Sequence, residues 1–307
     1  GASLVIAHPR HVSINTPVAV RLAYMPGAER ALMFGLWCAL CEIRSDLILP
    51  AEAEGSVEGH AELAGVSARD LRLAAEILGG TPGCAMLMGS GIGDPSVTVS
   101  FARLEAALPN AKGGYLHTGA NLQGAMDMGC LPYALPGYRP VCQDKDPLET
   151  DTKYPNWEGL DTGGILEGIQ EGRIKALYLL NADPLRECLN PDSFYDAISN
   201  LDFLVVHDSL PNACAEFADV VLPSRTATEV EGTVTGLGRQ VQAMAVALRP
   251  KFSARPEWEV FLDLMERMDT PHFSGGLKDV QDEIARIVPA YAGLTRVCVG
   301  DGGFQWN

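Results

Sequence analysis

The chain of 307 residues is predicted to be an α/β protein with parallel sheets. Short apolar runs of strand length alternate with longer segments of helical periodicity, the order expected of β-α-β units. Several apolar runs stop at Gly- or Pro-rich loops, as strands do at the ligand-binding edge of such sheets. Hydrophobic residues make up 47% of the chain and charged residues 20%, an ordinary balance for a protein with a folded core.

The first third of the chain is predicted to hold strands and helices in alternation. One helix is apolar around its whole axis, which is typical of a helix buried on all sides. Another opens at Ser67, whose spacing to Asp70 resembles a capping box. The strands are expected at Ser3–Ala7 and Cys84–Met88, and the helices at Ala28–Ile43, from Ser67 to Gly79-Gly80, and at Val97–Leu108.

Alternation breaks down in the middle of the chain and then returns. Residues 111–161 are rich in Gly, Pro and aromatic residues, which indicates a long irregular connection. We therefore expect an α/β domain over 1–110, this connection, and a second α/β domain with C-terminal helices over 162–307. In the second domain, strands are expected at 174–180, 203–207, 218–222 and 240–248, and helices at 163–170, 191–199, 256–268 and 277–288.

Gly-rich or polar residues follow two of the predicted strands. Gly89 and Gly91 could hold a phosphate through backbone N–H groups, although an ordinary Gly-rich turn has the same pattern. Residues 181–184 follow a later strand, at the position where an α/β sheet holds a nucleotide. An ordinary strand-to-loop turn explains that segment as well.

The next two predicted strands also end in candidate ligand loops. Asp208 ends one strand, and its carboxylate could accept two hydrogen bonds from the N1–H and N2–H groups of guanine. The alternative is that Asp208 caps a short helix near Asn212. The Gly-rich loop between Pro223 and Arg239 follows the strand at 218–222, and we expect it at the same kind of edge.

Charge and hydropathy limit the possible partners. The net charge is −16 and Lys and Arg are not clustered, so we expect no nucleic-acid partner. No apolar run reaches ~18 residues, so we expect no direct insertion into a membrane. The sequence begins almost at once with a strand, and we expect it to be part of a longer protein.

The eight cysteines are predicted to be reduced thiols, most of them buried. Cys38 and Cys41 have the spacing of metal and redox pairs, but they lie in the helix with apolar residues all round, and no second pair is nearby. We interpret them as core residues. No four cysteines have the compact spacing of an iron–sulfur cluster.

Seven segments together resemble one known superfamily. The most specific is ADVVLP followed by E-x-G-T and G-R-x-Q, within 218–242. The others are SLVIAHPR, YMPG before the apolar helix, GANLQGAMDMGCLPYALPGY, ALYLLNADPL, LDFLVVHDSLPNACAEFADVVLP and ARPEWEVFLDLMERM. These segments resemble the molybdopterin oxidoreductase superfamily, which includes formate dehydrogenases and nitrate reductases. The GANLQGAMDMG segment most resembles the large iron–sulfur subunit of bacterial NADH-quinone oxidoreductase, respiratory complex I.

The resemblance implies two Rossmann-like domains. In active members of the superfamily, these domains clamp the guanine dinucleotide ends of a bis-molybdopterin cofactor. If that ancestral site is kept, the resemblance implies these cofactor-binding residues: His8, Arg10, Gly89, Gly91, Asn181, Asp183, His207, Asp208 and Arg239.

Two departures from the superfamily pattern favour loss of the cofactor. His8 replaces an Asp, and an imidazole offers one acceptor where a carboxylate offers a pair. Losing such a buried charged hydrogen bond costs ~2 kcal/mol. The loop 235–239 lacks the usual Asn and acid. We therefore expect a structural domain of the large iron–sulfur subunit of complex I, without catalytic residues, metal or cofactor.

The complex I hypothesis also predicts the surroundings of the chain. Iron–sulfur clusters would lie elsewhere in the parent protein, and the partners would be other subunits of the hydrophilic arm of complex I. The location would be cytoplasmic, on the inner face of the cell membrane. The alternative is an active enzyme with molybdopterin guanine dinucleotide, such as a formate dehydrogenase alpha subunit, in which Asp208 and Arg239 contact the cofactor. A free-standing nucleotide-binding module is a third hypothesis.

Overall fold

The computed structural model describes residues 2–89, 94–141, 154–187, 190–269, 275–294 and 302–305. Contacts divide the chain into two compact units, Gly1–Thr118 and Gly119–Asn307. Both units contain parallel strands connected through helices, so the predicted α/β class with parallel sheets is confirmed. The three-segment division expected from the sequence stays a prediction.

In the first unit, parallel strand pairs accompany a group of helices. The first pair joins β1 to β2, and the second joins β3 to β4. The strands are β1 (Val5–Ala7), β2 (Val20–Leu22), β3 (Ala85–Gly89) and β4 (Lys112–Leu116), and the helices are α1 (Glu29–Ile43), α2 (Val57–Ala64), α3 (Ala68–Gly80) and α4 (Pro95–Ala107), with a 3-10 turn at Ala51–Ala53.

Helix α1 lies at the centre of the first unit's core, as the apolar residues around its axis predict. Leu40 is completely buried, and the indole N–H of Trp37 donates to the Ser100 carbonyl at 3.3 Å. The thiols of Cys38 and Cys41 point to backbone carbonyls, and burial raises the pKa of both. Their interpretation as core residues is confirmed.

Helix α3 begins directly after Ser67, as predicted, but without the predicted capping box. The Ser67 side chain makes no capping hydrogen bond. Its backbone carbonyl instead accepts from the N–H groups of Asp70 and Leu71. The start of the helix was therefore correct and the capping chemistry was wrong.

The second unit is built around a parallel sheet of three strands, with β8 between β7 and β9. A separate antiparallel sheet has the order β10-β11-β12, and β5 pairs with β6. The strands are β5 (Ala134–Leu135), β6 (Arg139–Pro140), β7 (Ala176–Leu180), β8 (Phe203–Asp208), β9 (Val220–Pro223), β10 (Gly232–Thr235), β11 (Gln240–Met244) and β12 (Phe304–Gln305). The helices are α5 (Leu122–Asp127), α6 (Thr162–Gln170), α7 (Pro184–Glu187), α8 (Pro191–Ile198), α9 (Glu257–Arg267) and α10 (Leu277–Ile287), with 3-10 turns at Ala213–Phe217 and Pro289–Tyr291.

The register of the parallel sheet brings its strand ends together. Leu180 of β7 pairs with His207 of β8, and Asp208 pairs with Pro223 of β9. The three strands therefore end at one edge, where an α/β sheet offers its ligand-binding loops. The buried face of this sheet packs on α8 through an apolar cluster that includes Phe194.

Candidate functional site

Three polar residues lie at the carboxyl edge of β7, β8 and β9. Asn181 follows β7, Asp208 ends β8 and Ser224 follows β9. Backbone bonds extend the ladder past the strands: the Asn181 N–H donates to the His207 carbonyl at 2.9 Å, and the Ser224 N–H donates to the Asp208 carbonyl at 3.0 Å. We name Asn181, Asp208, Ser224 and Glu257 the carboxyl-edge cluster.

Glu257 joins the two outer strand ends. Its Oε1 accepts from the Asn181 side-chain amide (Nδ2) at 2.9 Å and from the Ser224 hydroxyl at 2.5 Å. Glu257 is the first residue of α9, where the helix dipole favours a carboxylate. A parallel bridge between Ser224 and Arg255 holds the start of α9 against this edge.

Asp208 lies half-buried at the end of the central strand. Its Oδ1 accepts from the Leu210 N–H at 3.0 Å, and its Oδ2 accepts from the side-chain amide of Asn212 at 2.8 Å. Asn212 is itself the N-cap of the 3-10 turn and accepts from the Ala215 N–H. The alternative that Asp208 caps this helix is therefore wrong, because Asp208 holds the residue that does.

Asp183 is almost buried and joins the loop after β7 to the 3-10 turn. Its Oδ2 accepts from the Ala213 N–H at 2.9 Å and lies 3.4 Å from Nε of Arg186. The Cys214 thiol donates to its Oδ1 at 3.7 Å. These bonds account for its burial. A cofactor contact by Asp183 stays a prediction.

His207 brings its backbone, not its ring, to the carboxyl edge. The ring is fully buried, 2.8 Å from the Tyr178 hydroxyl through Nδ1, and it packs near Phe261. Nε2 has no hydrogen-bond partner among the residues that the structure describes. Burial lowers the pKa of His207, while the nearby carboxylates of Glu257 and Asp208 act in the opposite direction.

The predicted site residues of the first unit lie at two other strand ends. His8 and Arg10 follow β1, and the Arg10 backbone N–H donates to Nδ1 of His8 at 2.9 Å. With this bond formed, the loop itself uses the imidazole acceptor. Gly89 ends β3, where a Cβ would meet no heavy atom within 4 Å. Gly91 lies outside the described residues.

Arg239 belongs to the antiparallel sheet of the second unit. It lies with positive φ in the turn between β10 and β11, where its N–H donates to the Gly236 carbonyl. The expectation that the Gly-rich loop extends the edge of the parallel sheet was wrong here, because 236–239 closes a hairpin instead. Burial and the bond to Asp127 raise the pKa of Tyr138 to about 12. The positive charge of Arg239 acts in the opposite direction and lowers that pKa.

The sequence did not reveal several residues that build the edge. Glu257 and Asn181 are in contact although they lie 76 positions apart in the sequence. A pattern of neighbouring residues cannot predict such a contact. Ser224 follows the ADVVLP motif, and Glu257 lies in the ARPEWEVF motif, so both stood inside recognisable segments. No signal in the sequence joined these segments to each other.

At this edge the arrangement can bind a donor-rich ligand. Each oxygen of an ionised carboxylate has two acceptor sites, so Asp208 keeps one at each oxygen after its loop bonds. Asn181 is exposed, with its amide nitrogen directed to Glu257.

Across the described ranges, no helix is long and apolar enough to span a bilayer.

Comparison with known proteins agrees with this fold and these motifs. A family model described as molybdopterin oxidoreductase matches residues 86–267. The NADPH-Fe(3+) oxidoreductase subunit alpha of Geobacter sulfurreducens is 32% identical over 318 residues, which cover 96% of this chain and 37% of that protein. Formate dehydrogenase H of Escherichia coli is 27% identical over 337 residues, which cover 100% of this chain and 47% of that protein.

A solved structure shows the same fold. Acetylene hydratase from Pelobacter acetylenicus matches with a TM-score of 0.63 at 14% identity, over 99% of this chain and 48% of that one. The chain thus spans less than half the length of each of these relatives. The family model covers more than half of the chain, and a relative with 32% identity aligns with nearly all of it. The chain belongs to the molybdopterin oxidoreductase family.

Proposed function

We propose that the chain is part of an active oxidoreductase of the formate dehydrogenase type and holds a guanosine end of a molybdopterin guanine dinucleotide. This was the alternative of the sequence analysis. The similarity to formate dehydrogenase H and to NADPH-Fe(3+) oxidoreductase subunit alpha supports it over the complex I hypothesis. The observation that carries the proposal is the half-buried Asp208 carboxylate at the end of β8.

The residues at this edge fit a guanosine. Guanine presents N1–H and N2–H donors side by side, and Asp208 presents two carboxylate oxygens whose remaining acceptor sites match them. Loop bonds from Leu210 and Asn212 hold the carboxylate in place before any ligand arrives. The bound cofactor would supply the redox chemistry, and this chain would bind and orient its guanosine end.

The substitution Asp208→Asn tests the proposal through base preference. An amide offers one acceptor and one donor, which complements xanthine, because xanthine carries a carbonyl where guanine carries the N2 amine. We expect the apo form of the full-length protein to bind GMP, and the variant to bind GMP at least about tenfold more weakly and to prefer XMP. Equilibrium dialysis with both nucleotides measures this change.

The matched control is Asp202→Asn. Asp202 lies immediately before β8, at the opposite end of the same strand, and its side chain is exposed. The control should keep the affinity and the preference of the original protein. GMP binding that Asp208→Asn leaves unchanged would contradict the proposal.

A second candidate is a structural domain of the large iron–sulfur subunit of complex I, without a cofactor and with other subunits of the hydrophilic arm as partners. It is favoured by His8, whose Nδ1 bonds to the Arg10 backbone within its own loop and which replaces the superfamily's Asp. On this hypothesis the apo protein binds neither GMP nor XMP. The dialysis experiment therefore separates the two candidates.

A further inference from the structure

The carboxyl-edge cluster contains one bond whose direction is fixed by chemistry. An ionised carboxylate can only accept hydrogen bonds, so the atom of Asn181 that meets Glu257 must be the NH2 group. The short bond from the Ser224 hydroxyl to the same carboxylate oxygen holds Glu257 in place. The orientation of the Asn181 amide follows from Glu257.

As a consequence, Asn181 presents its side-chain carbonyl oxygen as a hydrogen-bond acceptor. With its NH2 group committed to Glu257, the exposed side chain has its carbonyl oxygen available at the carboxyl edge. The left-handed backbone of Asn181, with φ 46°, and the bond from its N–H to the His207 carbonyl fix the origin of this side chain. The residue is thus tied to β8 through its backbone and to α9 through its amide.

We propose that Glu257 is a positioning residue that orients the Asn181 amide so that its carbonyl oxygen accepts a hydrogen bond from a guanosine nucleotide. This inference rests on the proposed function and extends it. Glu257 does not touch the nucleotide. It decides whether position 181 offers an acceptor or a donor at the edge where Asp208 offers its carboxylate.

A complementary exchange tests this role. Asn181→Asp places two carboxylates in contact, and charge repulsion turns the side chain away from Glu257. Adding Glu257→Gln restores the pair, because the new amide nitrogen in the place of Oε1 donates both to the new carboxylate and to the Ser224 hydroxyl, which then donates to the Arg225 carbonyl 3.2 Å away. Asp tolerates the left-handed backbone as Asn does, so the exchange changes hydrogen bonding and little else.

The measurement is GMP binding to the full-length protein, purified from a host that makes no molybdopterin. We expect Glu257→Ala and Asn181→Asp each to weaken GMP binding about tenfold, and the double variant Asn181→Asp/Glu257→Gln to recover to within about threefold of the original. The control Glu259→Ala removes the same charge from the same helical turn, where Glu259 pairs with Arg255 and not with the edge. Its affinity should stay unchanged.

Thermal melting of each variant separates positioning from stability. A double variant that recovers its melting temperature but not its GMP affinity would overturn the inference, and so would GMP binding that Glu257→Ala leaves intact. If Glu257→Ala unfolds the protein, the exchange pair alone carries the comparison. An original protein that binds no GMP overturns the proposed function and this inference together. GMP binding that depends on Asp208 but not on Glu257 overturns only the inference.

Discussion

The imidazole of His207 lies wholly inside the second unit, against Tyr178 and Phe261. Burial favours the neutral ring and lowers its pKa below the ordinary value of 6.5. Protonation is therefore easier in the unfolded chain than in the folded one.

This difference predicts a pH dependence of stability. Because the folded pKa is lowered, the contribution of neutral His207 is fully present above the unfolded pKa and is lost as the pH falls below it. We expect the free energy of unfolding of His207→Gln to fall less between about pH 7 and about pH 5 than that of the original protein. Urea unfolding at several pH values measures both. Parallel pH profiles would contradict the assignment.

At the residue scale, the sequence predicted which polar residues follow two of the strands and missed the residues that join them. Asn181 and Asp208 lie at strand ends as expected, because polar residues directly after buried strands have a defined place in an α/β sheet. Glu257 was missed because its role depends on a contact between a strand end and a distant helix. Asp183 was found by position, but its bonds to Ala213 and Cys214 became visible only in the folded unit.

At the scale of elements, segments with a clear apolar pattern were predictable and segments without one were not. Helix α1 and strands β7 and β8 lie within a few residues of their predicted bounds because their apolar patterns are long or sharply ended. Strand β4 was missed. It contains Gly113 and Gly114, which have weak strand propensity, and it forms by pairing with β3.

A buried polar network ties several elements of the second unit together. Asp127, at the end of α5, is almost completely buried and accepts from the hydroxyls of Tyr138 and Tyr291 and from the amide of Gln123. The Tyr291 hydroxyl also bonds to Thr235 of β10 at 2.8 Å. Because each group in this network has a partner, removing one leaves another unsatisfied.

Tyr291→Phe tests how much this network contributes to the free energy of unfolding. The substitution keeps the ring and deletes the hydroxyl, so Asp127 and Thr235 each lose a buried partner. We expect the free energy of unfolding to fall by about 1–3 kcal/mol. Tyr133→Phe is the control, because Tyr133 is 57% exposed. Equal stability of the two variants would show that the network contributes little.

At the scale of the whole molecule, the fold class and the family were predictable from the sequence, and the comparisons bear both out. The sequence favoured a cofactor-less domain, whereas the similarity to formate dehydrogenase H favours a cofactor-holding one. The two departures at His8 and in 235–239 pointed to loss of the cofactor, whereas the intact edge around Asp208 supports retention. Whether the cofactor is retained depends on contacts between segments far apart in the chain, and the sequence alone does not show these contacts.

The central claim is that the carboxyl edge of β7, β8 and β9 holds the guanosine end of a bound cofactor. Acid treatment of the purified full-length protein, followed by chromatography of the released nucleotides and metal analysis of the same sample, tests it most directly. The account predicts GMP together with molybdenum or tungsten, and less GMP from the Asp208→Asn variant. Protein that releases no GMP and carries neither metal would contradict it.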